Sequence, residues 1–326
     1  MNKKVLITVD GNCPYIPEML EMIHAEGIET KQADLARVDL EGLKDQASDC
    51  TSVIACAETY DDAVFDSLPN LKCIVKSGVG LDAIDLDAAT RHGVVVSNTP
   101  GANGDAVAEM TATMILSALR KTVYYHNCVI DGLWQSDAYS HELSTRTIGL
   151  IGFGYIAQTL TKYLSGFGCR FLAYDICPNY ERAEELGVEF VELDTIYAEA
   201  DIISLHAPLT NQTRHLINRE SLSKMKSTAI LINTSRGGVI DEDALYEALK
   251  DKRIAAAALD VTGVEPLPAD SPLRTLGNIQ FTPHTATATY EAMKNLYTAC
   301  AVQTIQYYKG EPINHTVNPD YVKYLK

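Results

Sequence analysis

A turn of the form Gly-x-Gly-x-x-Ala spans residues 152–157, directly after a strand-like apolar run, and has the spacing of a dinucleotide-binding fingerprint. In such a turn Gly152 makes the sharp bend, Gly154 lets a pyrophosphate approach the backbone, and Ala157 permits close packing of helix on strand. The first helical residues, Tyr155 and Ile156, present unpaired N–H groups and the positive end of the helix dipole to the phosphates. Alone the motif is a weak signal, because glycines at a strand–helix turn are often needed only for the backbone conformation of the turn.

Asp175 strengthens the prediction of a cofactor site. It ends the next strand-like run, where a carboxylate can accept hydrogen bonds from both hydroxyls of a ribose. Its negative charge would repel a ribose phosphate, so the expected cofactor is NAD rather than NADP. Asp175 could instead cap the turn at Cys177 and Pro178, but the strand, the glycines and the acid in register favour NAD binding.

Three more polar residues, Arg236, Glu265 and His284, stand at or just beyond the ends of later strand-like runs. Ligands of parallel-sheet proteins bind outside the carboxyl ends of the strands, so the three side chains could converge on one cleft. Each also has a simpler explanation when it is taken singly. Arg236 could cap the preceding turn, Glu265 could be an exposed loop acid, and His284 could be a satisfied histidine at a strand end.

The elements that must position these residues are indicated by the alternation of short apolar runs with helical patterns, which is typical of parallel sheets with crossover helices. A length of 326 residues suits two domains. A first series of strands is predicted at Val5–Val9, Ser52–Ala57, Cys73–Lys76 and Val94–Ser97. A second series, with the rhythm of a doubly wound dinucleotide-binding sheet, is predicted at Thr147–Ile151, Arg170–Tyr174, Ile202–His206, Ala229–Asn233, Ala255–Asp260 and Ile279–Thr282.

Two helices determine the expected layout of the domains. A long helix begins near Gly104, runs through Arg120 and continues toward Ile130, and it would connect the two domains. The last helix, about Thr289–Tyr308, is long enough to return to the first domain. We therefore expect one domain of residues 1–103 plus 289–326 and a NAD-binding domain of residues 104–288.

Composition argues against several classes of protein. The net charge of −16 opposes binding to nucleic acid or to an anionic membrane. No apolar run approaches the roughly 18 residues of a membrane span, and no secretory signal is visible, so we expect a cytoplasmic protein. The eight cysteines lack the spacing of zinc ligands. We expect them to be reduced and structural, with no metal site.

Six short segments, in order and over nearly the whole chain, resemble the D-isomer-specific 2-hydroxyacid dehydrogenase family. They are Gly78–Asp85, Asn98–Asn103, His206–Thr210 with Thr213, Asn233–Gly238, Leu259–Val261 with Glu265-Pro266, and Thr282–His284. The resemblance implies two doubly wound parallel-sheet α/β domains, a flavodoxin-like substrate domain and a Rossmann dinucleotide-binding domain, with a cleft between them. It also implies an NAD-dependent oxidoreductase that acts on the CH–OH group of a D-2-hydroxy acid.

The resemblance assigns catalytic roles to the three polar residues. Arg236 corresponds to the arginine that binds the substrate's carboxylate and keto oxygen, a task suited to a planar, permanently charged group. His284 corresponds to the acid/base that removes the hydroxyl proton as hydride leaves and returns it in reduction. Glu265 corresponds to the acid that orients the imidazole and favours its protonated form.

Other positions receive binding roles from the same resemblance. The loop Ser77–Gly80 corresponds to the segment whose backbone N–H groups receive the substrate carboxylate, although by itself it could be an ordinary strand–helix turn. Asp260 corresponds to the residue that holds the nicotinamide amide. The implied substrate contacts are Lys76, Ser77, Gly78, Val79, Gly80, Asn103, Arg236 and His284. The implied NAD contacts are Gly152, Gly154, Tyr155, Ile156, Asp175, His206, Pro208, Thr213, Thr234, Ser235, Asp260 and His284.

The sequence indicates the family more specifically than it indicates the substrate. Lys76 stands where short phosphoglycerate dehydrogenases carry a basic residue able to meet a substrate phosphate. Against this, a second arginine often found just after the position of Trp134 is absent, and Asp137 would repel a phosphate there. The stretch Thr285-Ala286-Thr287 also departs from the usual Ile-Gly-Gly type and could narrow the pocket. We expect 3-phosphoglycerate and phosphohydroxypyruvate first, with hydroxypyruvate, glyoxylate or another 2-keto acid as alternatives.

The resemblance also bears on other functions and on assembly. Formate dehydrogenases carry a glutamine at the position of Glu265, so this acid favours hydroxy-acid chemistry. NAD-sensing transcriptional corepressors retain all three polar residues but carry extra tails, and a sensor is a minor alternative. Because the sequence ends at residue 326, we expect no C-terminal regulatory domain of the kind found in long phosphoglycerate dehydrogenases. We expect a homodimer formed through the NAD domain, with the helix near Gly104–Arg120 at the interface.

Overall fold

The computed structural model describes residues 3–134 and 139–325. The chain forms two compact units, of which the first comprises Met1–Asn103 and Ala288–Lys326 and the second Gly104–Thr287. Each unit has its own parallel β-sheet. The prediction of two doubly wound α/β domains is confirmed. Within the described residues, no helix is long and apolar enough to span a membrane.

The sheet of the first unit has five parallel strands in the order β2-β1-β3-β4-β5, which is the order of flavodoxin-like folds. The strands are β1 (Lys4–Ile7), β2 (Glu29–Gln32), β3 (Ser52–Ala55), β4 (Cys73–Lys76) and β5 (Val95–Ser97). The helices are α1 (Ile16–Ala25), α2 (Leu40–Ala47), α3 (Asp62–Ser67), α4 (Leu86–Arg91) and, from the C-terminal part, α12 (Tyr290–Lys309). Strands β1, β3 and β4 are almost entirely buried, as expected of strands covered on both faces.

The C-terminal segment closes one edge of this sheet. Thr316 pairs with Ser97 of β5 in an antiparallel bridge. The side chain of Asn318 accepts a hydrogen bond from the N–H of Val96 and donates one to the carbonyl of Val94. The Ser97 hydroxyl donates to Gln303 of α12 at 2.7 Å. These bonds satisfy polar groups that an uncovered edge strand would expose.

The sheet of the second unit has seven parallel strands in the order β12-β11-β10-β9-β6-β7-β8. The strands are β6 (Thr147–Ile151), β7 (Arg170–Tyr174), β8 (Val188–Phe190), β9 (Ile202–Leu205), β10 (Ile230–Asn233), β11 (Ala256–Leu259) and β12 (Ile279–Phe281). The helices are α5 (Gly104–Arg120), α6 (Thr122–Ile130), α7 (Tyr155–Leu164), α8 (Tyr180–Leu186), α9 (Leu193–Glu199), α10 (Arg219–Lys224) and α11 (Glu242–Lys250). Strand order reverses at β6, which lies between β7 and β9, and parallel sheets bind ligands beyond the carboxyl ends of the strands at such a point.

Two sequence predictions differ from the structure. The sheets have five and seven strands where four and six were predicted, because the omitted β2 and β8 are short edge strands without a continuous apolar run. The prediction of one helix from Gly104 toward Ile130 is wrong, since α5 ends at Arg120. Lys121 then takes a φ of 56° in the left-handed region, and α6 begins after it.

Candidate active site

The glycine turn after β6 is shaped by the chain that follows β9. Gly152 has a φ of +93°, and a Cβ at this position would lie 2.8 Å from the carbonyl carbon and oxygen of His206. Its N–H donates to the carbonyl of Tyr174 at 2.8 Å. The left-handed backbone and the close approach of His206 both exclude a side chain, so only glycine fits here.

Gly154 directly precedes the first residue of α7, and a side chain there would point into open space. Among the described side chains, none caps the first turn of α7. Uncapped N–H groups together with the positive end of the helix dipole suit a phosphate group. The side chain of Tyr155 is engaged elsewhere, because its hydroxyl donates to Asp105 at 2.8 Å. The turn therefore fits a pyrophosphate held by backbone groups.

Asp175 follows β7 and reaches the glycine turn. Its Oδ2 accepts from the N–H of Phe153 at 2.7 Å, and its Oδ1 accepts from the N–H of Cys177 at 2.8 Å. The carboxylate thus caps its own turn and also lies beside the glycine turn, so the two interpretations of this residue are compatible. The next residue, Ile176, is 85% exposed.

The segment after β9 forms a compact loop beside the glycine turn. Nε2 of His206 lies 2.9 Å from the Ser204 hydroxyl, and burial lowers the pKa of His206 to about 4. The Thr213 hydroxyl donates to the carbonyl of Pro208 at 2.6 Å and accepts from the N–H of Thr210 at 2.8 Å. No set of three His, Cys, Asp or Glu side chains able to hold a metal ion occurs in residues 3–134 and 139–325.

Asn233, at the end of β10, builds the turn that carries Arg236. Its Oδ1 accepts from the N–H and the hydroxyl of Ser235, at 2.9 and 2.7 Å, and its Nδ2 donates to the carbonyl of Arg236 at 2.9 Å. The guanidinium of Arg236 donates to the carbonyl of Ser235 at 2.8 Å. A Cβ on Gly237 would lie 2.0 Å from the carbonyl carbon of Thr262. The turn of Arg236 therefore packs directly on the loop after β11.

Thr234 and Ser235, both predicted NAD contacts, use their hydroxyl groups inside the protein. The Thr234 hydroxyl lies 2.8 Å from that of Thr111 on α5, and the residue is buried. The Ser235 hydroxyl donates to Asn233. Both side chains therefore shape the turn of Arg236.

Glu265 and His284 meet although they lie on different loops, which follow β11 and β12. Nδ1 of His284 lies 2.6 Å from Oε2 of Glu265. The other carboxylate oxygen accepts from the N–H of Thr262 at 3.0 Å. The side chains of His284 and Glu265 are 47% and 37% exposed, so a ligand can reach them. With Nδ1 paired to the carboxylate, Nε2 is the ring nitrogen placed to exchange a proton with a substrate.

Asp260 is buried and holds the segment that carries His284. Its Oδ1 accepts from the Thr282 hydroxyl at 2.5 Å and from the N–H of Thr285 at 2.9 Å. Its Oδ2 accepts from the N–H of Ala286 at 3.1 Å, and its own carbonyl accepts from the N–H of His284 at 2.8 Å. The sequence analysis assigned Asp260 only to the cofactor and missed this support of the histidine.

In the first unit, Lys76 ends β4 and its ammonium folds back over the loop that follows. Nζ donates to the carbonyl of Ser77 at 3.2 Å and lies 3.6 Å from the position that a Cβ on Gly78 would take. Gly78 has a φ of +134°, which favours glycine. The structure thus brings a positive charge to the loop that was predicted to bind the substrate.

Two of the four N–H groups of the loop Ser77–Gly80 are used by the protein. That of Ser77 donates to the carbonyl of Ala55 at 2.8 Å, and that of Gly78 donates to the Thr99 hydroxyl at 2.9 Å. Within the described residues, the N–H groups of Val79 and Gly80 are the ones left to receive a carboxylate.

Two other sequence features were predicted to bear on the substrate site, namely Asn103 and the residues that follow Trp134. Asn103, the last residue of this part of the first unit, is buried. Gln135, Ser136 and Asp137, the residues that replace the second arginine, lie outside the described residues.

Comparison with known proteins identifies the family. Residues 112–286 match the NAD binding domain of the D-isomer specific 2-hydroxyacid dehydrogenase family. The chain is 43% identical to a glyoxylate reductase of Thermofilum pendens over 82% of this chain and 80% of that enzyme. The chain belongs to the D-isomer specific 2-hydroxyacid dehydrogenase family. It is also 37% identical to a D-3-phosphoglycerate dehydrogenase of Archaeoglobus fulgidus over 94% of this chain and 58% of that enzyme.

This dehydrogenase shares its fold with an NAD-dependent formate dehydrogenase of Staphylococcus aureus, solved in complex with NAD. The TM-score is 0.85 at 30% sequence identity, over 95% of this chain and 96% of the other. As a member of the family, the chain is an NAD-dependent oxidoreductase, and its unit Gly104–Thr287 contains the NAD-binding domain.

The sequence of the dehydrogenase predicted the functional side chains at the strand ends, but the analysis missed the residues that hold their loops in place. Asn233 holds the turn of Arg236, Thr99 holds the loop after β4, and Thr282 bonds Asp260. Each is an asparagine or threonine at or just after a strand, where such side chains often bond nearby backbone. That position is the only signal by which the sequence could have shown them.

Proposed function

We propose that this dehydrogenase interconverts 3-phosphoglycerate and phosphohydroxypyruvate with NAD as the redox partner. The observation that carries the proposal is the ammonium of Lys76, which lies over the loop Ser77–Gly80. A substrate with a phosphate carries a second anionic group besides its carboxylate, and a lysine ammonium suits a phosphate. The reaction belongs to serine synthesis.

Residues of the second unit would hold the cofactor. Gly152 and Gly154 would admit the pyrophosphate to the start of α7, and Asp175 would accept hydrogen bonds from the ribose. Asp260 would accept one from the nicotinamide carboxamide. Bound NADH supplies the hydride, and the protein aligns it with the substrate.

Three side chains would carry the acid–base chemistry. Arg236 would bind the substrate carboxylate and keto oxygen with its planar guanidinium. His284 would donate a proton from Nε2 to that oxygen during reduction and take it back during oxidation. Glu265, bonded to Nδ1 at 2.6 Å, would balance the positive charge of the protonated ring.

A second candidate is the reduction of a small unphosphorylated 2-keto acid such as glyoxylate or hydroxypyruvate. Sequence identity supports both candidates equally, because the chain is 43% identical to the glyoxylate reductase of Thermofilum pendens and also 43% identical to a D-3-phosphoglycerate dehydrogenase of Methanocaldococcus jannaschii. The sequence after Trp134 also offers Asp137 in place of a second arginine. Hydride transfer to the keto carbon is the same for both candidate substrates. They differ in whether Lys76 binds a substrate phosphate.

Initial rates of NADH oxidation with phosphohydroxypyruvate, hydroxypyruvate and glyoxylate test the proposal. We expect the highest kcat/KM for phosphohydroxypyruvate. Lys76→Ala should raise its KM about tenfold, because a charge-assisted contact is lost, and should leave glyoxylate reduction nearly unchanged. Lys72→Ala, before the start of β4, is the matched control. A preference of the wild-type enzyme for glyoxylate, or equal effects of Lys76→Ala on both substrates, would support the second candidate instead.

A homodimer formed through α6 is a further part of the proposal. None of the residues of α6, all of them described, is buried, and Ile130 and Trp134 are 72% and 88% exposed. The helix α5, which the sequence analysis placed at the interface, already has nine buried residues in the single chain. Several large apolar side chains exposed in and just after one helix favour an interface there. Ile130→Asp should yield monomers in light scattering, whereas Val322→Asp, at an exposed site of the first unit, should not.

We also propose a cytoplasmic location. All eight cysteines lie in the described part of the chain, and all are free, which suits a reducing compartment. Burial raises the pKa of Cys50 to about 11, so this thiol stays protonated at neutral pH. Thiol titration of the denatured protein, purified without reductant, should find every cysteine reduced. A shortfall would argue against this location.

A further inference from the structure

His284 has a left-handed backbone conformation, as do His215 and His315 of this chain. The φ of His284 is 53°, in the left-handed region where a Cβ is disfavoured. Strained residues of this kind persist only where their surroundings hold them in place. The carbonyl of Asp260 accepts from the N–H of His284 at 2.8 Å, and its carboxylate bonds residues on both sides of the histidine.

The Asp260 carboxylate contacts this segment at three points. Oδ1 accepts from the Thr282 hydroxyl at 2.5 Å and from the N–H of Thr285 at 2.9 Å, and Oδ2 accepts from the N–H of Ala286 at 3.1 Å. Asp260 is only 2% exposed, so water does not replace a bond that is lost. A carboxylate offers about four acceptor positions. Three are therefore used, and the remaining one, on Oδ2, is the one that a cofactor amide would take.

We propose that Thr282 is a positioning residue for the dehydrogenase reaction. Its hydroxyl fixes the orientation of the Asp260 carboxylate, which fixes the backbone on both sides of His284 and so the direction of Nε2. Without the hydroxyl, Oδ1 loses its shortest bond and the carboxylate can rotate. The two bonds to the N–H groups of Thr285 and Ala286 then weaken, and the left-handed conformation is no longer held. The inference rests on the proposed role of His284 as the acid/base.

Three variants distinguish the loss of the Thr282 hydroxyl from a change in side-chain shape and from the general effect of removing a threonine hydroxyl. Thr282→Val removes the hydroxyl and keeps the β-branched shape. Thr282→Ser keeps the hydroxyl and removes only the methyl group. Thr275→Val is the matched control, because the Thr275 hydroxyl donates at 2.7 Å to a backbone carbonyl, that of Pro272, in the same unit.

Amide hydrogen exchange of the enzyme without cofactor or substrate is the first measurement. In the peptide that covers residues 282–287, Thr282→Val should accelerate exchange of the Thr285 and Ala286 amides roughly tenfold, the effect of losing one bond to a charged group. Thr282→Ser and Thr275→Val should exchange like the wild type. Unchanged protection in Thr282→Val would overturn the inference. This result is independent of turnover, so it stands even if the wild-type enzyme reduces none of the proposed substrates, an outcome that would refute the proposed function alone.

Steady-state kinetics is the second measurement. In Thr282→Val, kcat should fall on the order of tenfold, less than the ~100-fold that a 1 Å misplacement of a reacting group costs. The dissociation constant of NADH, followed by its fluorescence, should change less than about twofold. Thr282→Ser should restore kcat. An equal loss in Thr282→Ser, or weaker NADH binding with an unchanged kcat, would assign Thr282 to packing or to the cofactor site and overturn the inference.

Discussion

Replacement of Glu265 by glutamine removes the negative charge of the acid–base pair and one of its two acceptor oxygens, but keeps the size of the side chain. Glutamine has the same size and keeps an oxygen that can accept from the N–H of Thr262, which bonds the carboxylate at 3.0 Å. The group facing Nδ1 of His284, a carboxylate oxygen at 2.6 Å in the wild type, then becomes the amide NH2, which can donate to Nδ1 only when the ring is neutral. The variant therefore removes both the negative charge and the hydrogen-bond acceptor that support a protonated imidazole, while it keeps the size of the side chain.

The size of the effect is set by the exposure of the pair. A hydrogen bond between charged groups contributes about 1.5–3 kcal/mol. Because the side chains of His284 and Glu265 are 47% and 37% exposed, solvent screens the interaction, and we halve that range to about 0.75–1.5 kcal/mol. The kcat of keto-acid reduction should therefore fall about 4- to 12-fold at neutral pH.

Initial rates at saturating keto acid and NADH, measured from slightly acid to alkaline pH, test this reasoning. Glu242→Gln is the matched control, because the Glu242 carboxylate accepts at 2.6 Å from the N–H of Gly263 in the same loop. That variant should keep the wild-type rate at every pH. If Glu265→Gln also keeps the full rate throughout, the carboxylate does not support proton transfer by His284, and the assignment of the pair is refuted.

Three further perturbations test the structure around the site. Gly237→Ala should lower the free energy of unfolding by about 1–3 kcal/mol, because the added Cβ would lie 2.0 Å from the carbonyl carbon of Thr262; an unchanged urea midpoint would contradict that contact. Asp175→Ala should relax the preference for NAD over NADP, measured as the ratio of the two kcat/KM values, and an unchanged ratio would reject the ribose role. Burial holds the pKa of His206 at about 4, whereas an unfolded histidine binds a proton below about pH 6.5. The free energy of unfolding should therefore fall by up to roughly 3 kcal/mol as the pH drops from about 6.5 to about 4, and His206→Asn should show a smaller fall in urea denaturation.

The sequence predicts buried strands better than edge strands, for a physical reason. The bounds of β4, β6 and β7 match the prediction, because strands covered on both faces read as continuous apolar runs. The edge strand β2 carries glutamate, threonine, lysine and glutamine, and β8 has three residues. The break between α5 and α6 carries no glycine or proline, since a lysine takes the left-handed conformation at residue 121.

The positions of candidate site residues were predictable where topology alone places them. Parallel strands bring their carboxyl ends to one edge, so Asp175, Arg236, Glu265 and His284 were expected there from the strand pattern, whereas a role for Asp260 came from the resemblance to the family. Glu265 and His284 are 19 residues apart in the sequence and lie on different loops, which their contact joins. It depends on the pairing of β11 with β12 and on the path of both loops, and only the resemblance to the family anticipated it.

Hydrogen bonds inside the loops decide which of the predicted groups can act, and the residue pattern indicates them only weakly, by the position of Asn or Thr at strand ends. In the loop Ser77–Gly80, bonds to Ala55 and Thr99 use two N–H groups, so a substrate carboxylate would bind the N–H groups of Val79 and Gly80. The carboxylate of Asp260 uses three of its roughly four acceptor positions on its own chain, so that its support of His284 and its proposed contact with the cofactor share one group. Substitution of Thr99 or Thr282 should therefore lower the activity, as substitution of the groups that they hold should. A functional group at a strand end acts only in the direction in which its loop holds it.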